Sequence, residues 1–582
     1  MEPFSINLVY EGGGDDLNRN WFARGEDAHL KFVVQSSVRA LLSFYVSPFD
    51  FPSDRTKVYE TEVKPGEQEL SLVVGTRDLR GLYQVIAEAR QLAEMEASSE
   101  PGVPISNWKR VLGDAEYVYK VEREIDEGTQ TDELVFPVFK FSTNGTSAMP
   151  KYNYQTYPWM IAVLNNFSRE INASGLPPLK VPLGLGINLY YEKALKLAEE
   201  TKEAEEAIKL MKLAGVGLIR LDLPWSIVEK ERGKYDFSLF EKLAKKLVQR
   251  GIRPLFILDY ANKLYDEGLS PHTDEAVEAF SNYAREAVKA LSQYDPIWEL
   301  WNEPNVFWWP KPDPEAYVKL SMATLKKISG YGQTVIGPSA GSFDYAFLVP
   351  FLQALEESGL YGELAAVSVH PYRTRSWGPE TATPEYEALK KISKKTVVNS
   401  EWGYPADRSA GTRSLNALRQ AEFFARIYLT DLMNQVPMTV LHDWQDDGTD
   451  PFYWEHCYGV IQSSQREEAG SSPQTTFFIK PNYYALHQLS YELNGYSFVD
   501  YVRSPQGIYV LRFQKGELTK YAVWSTTGKQ EFTLKVRGEK ATLTHLFGKI
   551  EEIYPRDGLF RVPASESPAF LKIQRGLTSS PS

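Results

Sequence analysis

Apolar and polar positions follow two different patterns along this chain. In residues 1–145 and 495–574, apolar residues recur at every second position in short runs, and turn residues such as those at 12–14 and 64–66 separate the runs. This period predicts strands with one covered face, and a series of such short strands predicts β-sandwiches. The N-terminal strands are predicted at residues 6–10, 28–35, 40–46, 70–74, 81–87 and 134–141, and the C-terminal ones at 497–501, 507–514, 519–524, 531–536, 541–546 and 569–573.

Between residues 179 and 494, fully apolar runs alternate with amphipathic segments. The apolar runs predict strands that are covered on both faces, at residues 183–189, 217–222, 253–260, 297–301, 334–337, 365–370, 395–401 and 437–444. The amphipathic segments predict helices near 204–214, 238–249, 274–292, 313–328, 345–357, 384–392, 415–434 and 482–492. Eight strand–helix units predict a (β/α)8 barrel. A doubly wound sheet is the alternative, but no glycine-rich phosphate loop follows the first strand.

The predicted fold class is therefore α/β, a (β/α)8 TIM barrel flanked by an N-terminal β-sandwich and a small C-terminal β-sandwich. We divide the chain into an N-terminal sandwich (1–145), a connecting segment (146–178), the barrel (179–494), a C-terminal β-domain (495–574) and a polar tail (575–582) that we expect to be disordered. The N-terminal domain has two interpretations. It is either a packing domain or a carbohydrate-binding domain, and Trp21, Phe22 and Trp108 motivate the second.

Two of the apolar strands end in a lone carboxylate. Pro304 stops one strand directly after Glu303, and Glu401 ends another strand 98 residues later (401 minus 303). A βα unit takes roughly 30 residues, so this distance fits about three units of a barrel, whose strands all end at the same mouth. Two carboxylates about 5 Å apart suit hydrolysis of glycosides with retention, one as acid/base and the other as nucleophile. Salt-bridged structural carboxylates are the alternative.

The two stretches resemble a known group of enzymes. Residues 298–305, Trp-Glu-Leu-Trp-Asn-Glu-Pro-Asn, and residues 400–403, Ser-Glu-Trp-Gly, are similar to the acid/base and nucleophile strands of clan A glycoside hydrolases. The nearest families are family 39 (β-xylosidases and related endoglycosidases) and family 5 (cellulases and relatives). The resemblance covers roughly residues 180–490. It implies that Glu303 and Glu401 end barrel strands 4 and 7, with Glu303 as the acid/base and Glu401 as the nucleophile.

The resemblance also implies five substrate-binding residues. Arg220 resembles the arginine that pairs with the nucleophile, and Asn302 resembles the residue that binds the sugar 2-hydroxyl. His370 and Tyr372 resemble the strand-six His-x-Tyr pair, in which the tyrosine hydroxyl binds the nucleophile and the histidine helps to set the acid/base. Trp444 resembles the strand-eight tryptophan that lies under the reacting sugar.

Two positions distinguish the chain within this clan. Family 5 usually has a histidine near the end of strand three, where this chain has Asp259 and Tyr260. Glu299, four residues before Glu303, resembles a recurring feature of family 39. It lies on the same side of its strand as Glu303, and we interpret it as a buried partner of a cation inside the barrel.

Several tryptophans follow the predicted strands and lie in loops at the barrel rim. Trp308, Trp309 and Trp377 are candidates for stacking on further sugars of a substrate, and Trp225 and Trp454 share this position. Packing in the core is the alternative for each of them.

Composition narrows the classes of partner. The net charge of −12 argues against nucleic acid and against anionic membranes. A single cysteine, Cys457, rules out an intrachain disulfide, and no apolar run has transmembrane length. No signal peptide is visible at residues 1–4, so the localisation stays open between a secreted mature form and a cytoplasmic protein. His370 and His442 lack the spacing of a metal site, and we expect no metal or other cofactor.

The expected activity is retaining hydrolysis of β-linked glycans of the glucan or xylan type, through a glycosyl-enzyme intermediate. A carbohydrate-binding barrel without catalysis and a transglycosidase are the alternatives. The sequence leaves open the sugar and its linkage, endo or exo action, and the oligomeric state.

Overall fold

The computed structural model describes residues 4–11, 20–37, 39–51, 53–91, 160–165, 179–182, 184–407, 416–448, 450–466, 474–502 and 504–574. The chain forms a closed barrel between two β-rich regions, as the sequence predicts. The predicted strand at 134–141 and the predicted disordered tail at 575–582 lie outside the described residues. None of the described helices has the length and apolarity that a membrane crossing requires.

The N-terminal region consists of two sheets. One has the order β1-β3-β6 and the other β2-β8-β7-β4-β5. Apolar side chains such as Phe32, Phe44 and Val85 fill the space between the sheets, because they recur at every second position of their strands. The strands are β1 (Phe4–Glu11), β2 (Trp21–Ala23), β3 (Ala28–Ser36), β4 (Ala40–Pro48), β5 (Thr56–Val63), β6 (Gly66–Val74), β7 (Gly81–Gln91) and β8 (Met160–Leu164).

Eight parallel strands close the barrel in the order β9 to β16, with β16 pairing back to β9. This confirms the predicted (β/α)8 fold class. The strands are β9 (Gly184–Asn188), β10 (Leu218–Pro224), β11 (Arg253–Asp259), β12 (Ile297–Leu300), β13 (Thr334–Gly341), β14 (Ala366–His370), β15 (Val397–Trp402) and β16 (Met438–Leu441). The helices are α1 (Tyr191–Lys196), α2 (Lys202–Leu213), α3 (Trp225–Val228), α4 (Ser238–Gln249), α5 (Asp274–Leu291), α6 (Pro314–Ile328), α7 (Tyr345–Glu357), α8 (Thr383–Ser393), α9 (Ala417–Met433) and α10 (Pro481–Leu493).

The barrel interior has an apolar layer below a polar one. The apolar layer contains Leu218, Leu255, Ile257, Ile297, Ile336, Ala366, Val398, Met438 and Val440. Successive side chains of a strand point to opposite faces, so the residue two positions further along points to the same interior. Two residues after Leu218 and Ile297, that position is taken by Arg220 and Glu299, which are both buried. The sequence thus places a polar layer at the carboxyl ends of the strands.

The C-terminal region returns to antiparallel strands. Before it, the hairpin β17 (Ile461–Arg466) and β18 (Gln474–Ile479) interrupts the last barrel unit, where the sequence analysis placed no element. The domain then has a sheet of order β19-β20-β21-β26-β23-β24 and a pair β22-β25. Its strands are β19 (Ser497–Tyr501), β20 (Ile508–Lys515), β21 (Leu518–Ser525), β22 (Gln530–Leu534), β23 (Lys540–His545), β24 (Ile550–Ile553), β25 (Phe560–Ala564) and β26 (Ala569–Gln574).

The N-terminal sheets include chain from beyond residue 145. β8 lies within the segment that the sequence analysis treated as a connection, and it pairs with β2 and β7. Pairing between strands so far apart in the chain cannot be read from a local pattern, which explains why β8 was not predicted. The division of the chain into domains otherwise stays a prediction.

Hydrogen bonds join the N-terminal region to the other two. The Asn20 amide donates to the carbonyl of Ile479 (2.9 Å) and accepts from the Ile479 N–H (3.0 Å). The Trp21 indole donates to the carbonyl of Phe477 (3.3 Å). The N–H of Leu82 donates to the carbonyl of Phe547 in the C-terminal domain (3.0 Å). The N-terminal region therefore contacts both the barrel hairpin and the C-terminal domain.

Candidate active site

Arg220 on β10 lies at the centre of the polar layer and is 1% exposed. Its Nε donates to Glu299 (2.7 Å), which confirms the predicted pairing of Glu299 with a cation inside the barrel. Its Nη1 donates to Asn188 Oδ1 (3.2 Å) and to Glu401 Oε2 (2.6 Å). Its Nη2 donates to Asn302 Oδ1 (2.7 Å), Ser339 Oγ (3.2 Å) and His370 Nε2 (3.3 Å). A guanidinium has five N–H bonds, and here all of them have acceptors.

Glu401 on β15 is held as a carboxylate. The Tyr372 hydroxyl donates to Oε1 (2.8 Å), and Arg220 donates to Oε2 (2.6 Å). Burial acts to raise the pKa of Glu401, but its electrostatic interactions with His370, His442 and Arg220 and the hydrogen bond from Tyr372 outweigh it and lower the pKa to about 2. A carboxylate that stays ionised and buried beside an open mouth is suited to attack an electrophilic carbon.

Glu303 follows β12 in an unusual backbone conformation. Its φ is +45°, and that of Trp301 is +63°, a region that non-glycine residues seldom occupy. Hydrogen bonds hold this turn in place: the N–H of Glu303 donates to the carbonyl of Ser339 (2.9 Å), and the Asn305 amide bonds reciprocally with the backbone of Gly341 (2.9 and 3.0 Å). Gly341 also leaves room for the carboxylate, because a Cβ there would lie 3.0 Å from Glu303 Cδ.

His370 links Glu303 to the arginine network. Arg220 Nη2 and the Ser339 hydroxyl (2.9 Å) surround its Nε2, and an arginine can only donate. We therefore assign the proton of neutral His370 to Nδ1, which lies 2.6 Å from Glu303 Oε1 and donates to it. The ring thus orients the carboxyl group of Glu303 from the buried side.

The two glutamates face each other closely. One ligand atom from each of Glu303, His370 and Glu401 lies within 4.8 Å of the others. In the described part of the chain, these three side chains are also the one group with the spacing of a metal site. A cation there would have to sit beside the guanidinium of Arg220, 2.6 Å from Glu401, and like charges repel. The arrangement therefore fits a pair of working carboxylates better than a metal centre.

Asn302 lies between the arginine and the opening of the barrel. Its oxygen accepts from Arg220, so its NH₂ group faces away, and this group donates to the Tyr260 hydroxyl (2.8 Å). The exposed ring of Trp309 packs edge-on against Tyr260, with the ring centroids 5.8 Å apart. Hydrogen bonds on both sides thus fix the orientation of the Asn302 side chain, next to the aromatic rings of Tyr260 and Trp309.

A pair of aspartates occupies the ends of β10 and β11. Burial raises the pKa of Asp259 well above its usual range, and the neighbouring carboxyl of Asp222 raises it further. Burial likewise raises the pKa of Asp222. Both oxygens of Asp259 are enclosed and find no donor among the described residues. The two carboxyl groups can satisfy each other only by sharing a proton.

The predicted tryptophans separate into two groups. Trp309 is 43% exposed and Trp377 57% exposed, so both offer a ring at the rim. Trp308 is 3% exposed and packs on Trp301 and Tyr317, which corrects its predicted place at the rim. Its loop folds back over the helix layer, a turn that a local pattern does not reveal.

Other predicted aromatic positions are buried as well. Trp444 is 2% exposed and packs on Tyr483 of α10, a placement that favours core packing over stacking on a sugar. Trp225 is buried in a stack with Tyr265. Trp21 and Phe22, which motivated a carbohydrate-binding N-terminal domain, are also buried, and Trp108 lies outside the described residues. Trp454 is 43% exposed, on the loop after β16.

Sequence reasoning missed three members of the site. Asn188 and Ser339 bind Arg220 and carry no signal of their own, because polar residues at strand ends are common. His442 was considered only as a metal ligand, yet its Nδ1 lies 3.9 Å from Glu401 Oε1. Its position directly after an apolar strand, as for Glu303, is the signal that could have identified it.

Comparison with solved structures identifies the class of fold. The chain has the fold of clan A glycoside hydrolases, a parallel eight-stranded barrel with flanking β-domains. One solved structure that is similar over the whole architecture is a family 39 glycoside hydrolase from the gut symbiont Bacteroides cellulosilyticus WH2, which matches over 96% of this chain and 99% of that one, with a TM-score of 0.62 and 20% identity. The predicted resemblance to family 39 is therefore confirmed at the level of the fold.

Other solved structures match a smaller part of the chain. A GH30 endoxylanase from Clostridium papyrosolvens C71 covers 68% of this chain and 97% of its own, with a TM-score of 0.46 and 13% identity. A glucosidase from Croceicoccus marinus covers 69% of this chain and 98% of its own, with a TM-score of 0.47 and 13% identity. No model of a protein family matches the sequence, and no curated protein matches it either.

Proposed function

We propose that the protein is a retaining glycoside hydrolase that cleaves β-linked glycans. The observation that carries this proposal is the approach of Glu303 and Glu401, whose nearest carboxylate oxygens lie within 4.8 Å. Retaining enzymes hold their two carboxyl groups about 5 Å apart, whereas inverting enzymes need roughly 6.5–9.5 Å to admit a water molecule. The carbohydrate substrate is of the glucan or xylan type. The bond that is cleaved lies on the reducing side of the sugar that binds between the two glutamates.

In the first step, the two glutamates act on opposite sides of the scissile bond. Glu401 attacks the anomeric carbon while protonated Glu303 gives its proton to the departing glycosidic oxygen, so the C–O bond breaks as the glycosyl–Glu401 ester forms. His370 holds Glu303 in place through the 2.6 Å contact. Arg220 and Tyr372 fix the orientation of the attacking carboxylate.

In the second step, water replaces Glu401. Glu303, now a carboxylate, takes a proton from a water molecule that attacks the anomeric carbon, and the ester to Glu401 breaks. Two inversions at one carbon give a product with the original configuration. Asn302 supports both steps through the sugar 2-hydroxyl, because that hydrogen bond strengthens as positive charge grows on the sugar ring.

Replacement of the nucleophile tests this proposal. With an aryl β-glycoside, Glu401→Ala should lower kcat by about 10⁴-fold or more, because no glycosyl-enzyme can form. Azide should restore turnover and give the glycosyl azide of inverted configuration. Proton NMR of the wild-type reaction should show the β-anomer as the first product. An initial α-anomer would contradict retention.

Replacement of the acid/base tests the other role. Glu303→Ala should leave formation of the glycosyl-enzyme from a 2,4-dinitrophenyl glycoside nearly unchanged, since that leaving group needs no proton. It should slow the reaction of an alkyl glycoside by about 10²–10⁴-fold. Equal losses for both substrates would remove Glu303 from this role.

The same assays separate the two alternative functions. A carbohydrate-binding barrel without catalysis would retain affinity for glycans and turn over no chromogenic glycoside. A transglycosidase would give elongated products in the presence of acceptor sugars. The close carboxylate pair favours catalysis, because two like charges brought together are costly for a binding site alone.

A further inference from the structure

His442 follows β16 and lies beside the proposed nucleophile. The residue is 5% exposed, and its Nδ1 is 3.9 Å from Glu401 Oε1. The ring of Tyr458 packs edge-on against it with a centroid distance of 4.8 Å, and that of Tyr190 with 6.4 Å. The imidazole is therefore held on two sides at the end of the barrel where Glu401 lies.

A chain of hydrogen bonds determines which nitrogen of His442 carries the proton. Asn188 Oδ1 accepts from Arg220 (3.2 Å), so the NH₂ group of Asn188 must point the other way. That group lies 3.2 Å from His442 Nδ1 and donates to it. Nδ1 is thus an acceptor, and the proton of the neutral ring sits on Nε2. Burial lowers the pKa of His442, in agreement with a neutral ring.

The Nε2–H group of His442 is left as an unused donor. It has no hydrogen-bond partner among the residues that the structure describes. It is also absent from the set of described polar atoms that are sealed from solvent without a partner. A donor that is neither paired nor sealed, on a side chain that is almost wholly buried, is therefore open to solvent or to a ligand at the barrel end where Glu401 lies.

The barrel order tells which part of a sugar this donor meets. His442 follows β16 and Asn302 follows β12, four strands away on the opposite wall of the closed barrel. In the proposed reaction, Asn302 binds the 2-hydroxyl. In a pyranose, C2 is bonded to one side of the anomeric carbon and the ring oxygen to the other side. C5 follows the ring oxygen, and the hydroxymethyl group on C5 carries the one hydroxyl on that side.

We propose that His442 Nε2–H donates to the hydroxymethyl hydroxyl of the sugar bound at Glu401, so that the enzyme acts on β-hexopyranosides in preference to β-pentopyranosides. This inference rests on the proposed function and deepens it. It assigns specificity between glucan-type and xylan-type substrates to one residue. Its physical basis is that a buried donor left without an acceptor costs more than a hydroxyl that is merely absent.

The test compares substrates that differ in that group alone. For aryl β-hexosides of gluco, galacto and manno configuration, kcat/KM of the best substrate is measured against its 6-deoxy counterpart and against the pentopyranoside that lacks only the hydroxymethyl group and carries the same leaving group. For the gluco series this pentopyranoside is the β-xyloside. The wild type should prefer the hydroxylated sugar by about tenfold or more. In His442→Phe, which removes the donor, this ratio should fall to about one.

Two further variants make the result specific. His442→Gln keeps an N–H close to the place of Nε2 and should show an intermediate ratio. His29→Phe changes an exposed histidine of the N-terminal region and should leave the ratio as in the wild type. A wild-type ratio near one, or an unchanged ratio in His442→Phe, would overturn the inference while leaving the hydrolase proposal intact.

Binding distinguishes this inference from the activity on which it rests. Calorimetry of Glu401→Gln with cello- and xylo-oligosaccharides should show tighter binding of the gluco series, and His442→Phe in the same background should remove the difference. Absence of turnover on every glycoside would contradict the proposed function. If binding also shows no preference for the gluco series, the role of His442 falls as well.

Discussion

Glu299 and Arg220 form an ion pair with almost no solvent contact, since the two side chains are 0% and 1% exposed. Burial of two charges is costly, and it is offset here by their mutual hydrogen bond and by the further acceptors around Arg220, while Glu299 Oε1 is sealed without a partner among the described residues. Burial acts to lower the pKa of Arg220, but Glu299 and Glu401 outweigh it and raise the pKa. At the scale of single residues, the site depends on charges that would be unstable alone.

Removal of the Glu299 charge should therefore destabilise the fold. We expect Glu299→Gln to lower the free energy of unfolding by about 3–5 kcal/mol, because a buried guanidinium loses its compensation. Urea unfolding followed by circular dichroism measures this. Glu278→Gln is the control, since its pair with Lys327 is exposed and should be worth about 0–1 kcal/mol. Similar losses in both variants would contradict the argument.

The low pKa of Glu401 makes stability depend on pH. Because the folded-state value of about 2 lies below the ordinary value of 4.5, the carboxylate stabilises the fold above about pH 4.5, and this contribution is lost as the pH falls towards 2. The melting temperature of Glu401→Gln should therefore be below that of the wild type at pH 7. The gap should shrink between pH 5 and pH 3, as scanning calorimetry can determine. A gap that is constant with pH would refute this linkage.

At this scale the sequence indicates ionisable residues better than aromatic ones. Glu303 and Glu401 could be located because Pro304 and Trp402-Gly403 end apolar strands, so the carboxylates had to lie at strand ends. Trp308 and Trp309 are neighbours in the chain, yet one is 3% and the other 43% exposed. No local pattern separates such a pair, because the fold of the loop decides which ring faces the core.

At the scale of elements, the turn that carries Glu303 follows β12 and packs against the neighbouring strand β13. The missing side chain of Gly341 leaves space for the carboxylate, whose Oε2 would lie 3.1 Å from a Cβ there. Gly337 on the same strand would instead contact Leu300, 3.3 Å away, in the core. Gly341 therefore leaves room for the Glu303 carboxylate, and Gly337 leaves room for the side chain of Leu300.

Alanine at these two positions should separate catalysis from packing. Gly341→Ala should displace the Glu303 carboxyl and lower kcat/KM of an alkyl glycoside by about 10–100-fold, because small displacements of a catalytic group are costly. A 2,4-dinitrophenyl glycoside, which needs no proton, should be less affected. Gly337→Ala is the matched control and should reduce both substrates equally or not at all. Equal losses for both substrates in Gly341→Ala would refute the role.

The predicted element boundaries agree with the structure to different degrees. α4 and α7 have the predicted bounds, and Asp344 caps α7 by accepting from the N–H of Phe347 (3.2 Å). β13 runs further than predicted, to Gly341, and β16 ends earlier, at Leu441. Strand ends depend on the pairing partner, which the sequence does not give. The short helices α1 and α3 were not predicted, because six and four residues are too few for a periodic pattern.

At the scale of the whole molecule, the three regions pack on one another closely. Gly81 begins β7 with a φ of +134°, and a Cβ there would lie 2.2 Å from the carbonyl oxygen of Phe547 in the C-terminal domain. Glu380, on the loop that follows β14, accepts from Arg426 (2.7 Å) and from the indole of Trp524 (2.6 Å). The C-terminal domain thus supports both the N-terminal region and a loop of the barrel.

A substitution at Gly81 should weaken this junction. Gly81→Ala combines backbone strain with a collision, and we expect a loss of about 2–5 kcal/mol in the free energy of unfolding. Gly66 is the control, because its φ is also positive, at +113°, but nothing lies within 4 Å of its Cβ position. Gly66→Ala should lose about 1–3 kcal/mol from strain alone. Urea unfolding of both variants measures the difference, and equal losses would exclude a contribution from the contact.

The sequence predicted the three-part build but not how the parts join. Alternation of period two and period 3.6 placed the barrel between two β-regions, because these periods follow from local backbone geometry. The pairing of β2 with β8 joins residues near 22 and 163, and the hairpin β17–β18 docks on Asn20. Contacts over such distances in the chain are set by tertiary packing and leave no periodic trace.

The Arg220 guanidinium at the centre of the barrel donates hydrogen bonds to residues on or directly after five other strands. Arg220 comes from the second strand, while both glutamates of the site come from the fourth and seventh. A fragment that ends before β12 would thus contain the cation without its anions, and the complementary fragment would contain the anions without their cation. Neither half can assemble a working cleft by itself, and mixing the two should restore activity only to the extent that the closed ring of strands forms again.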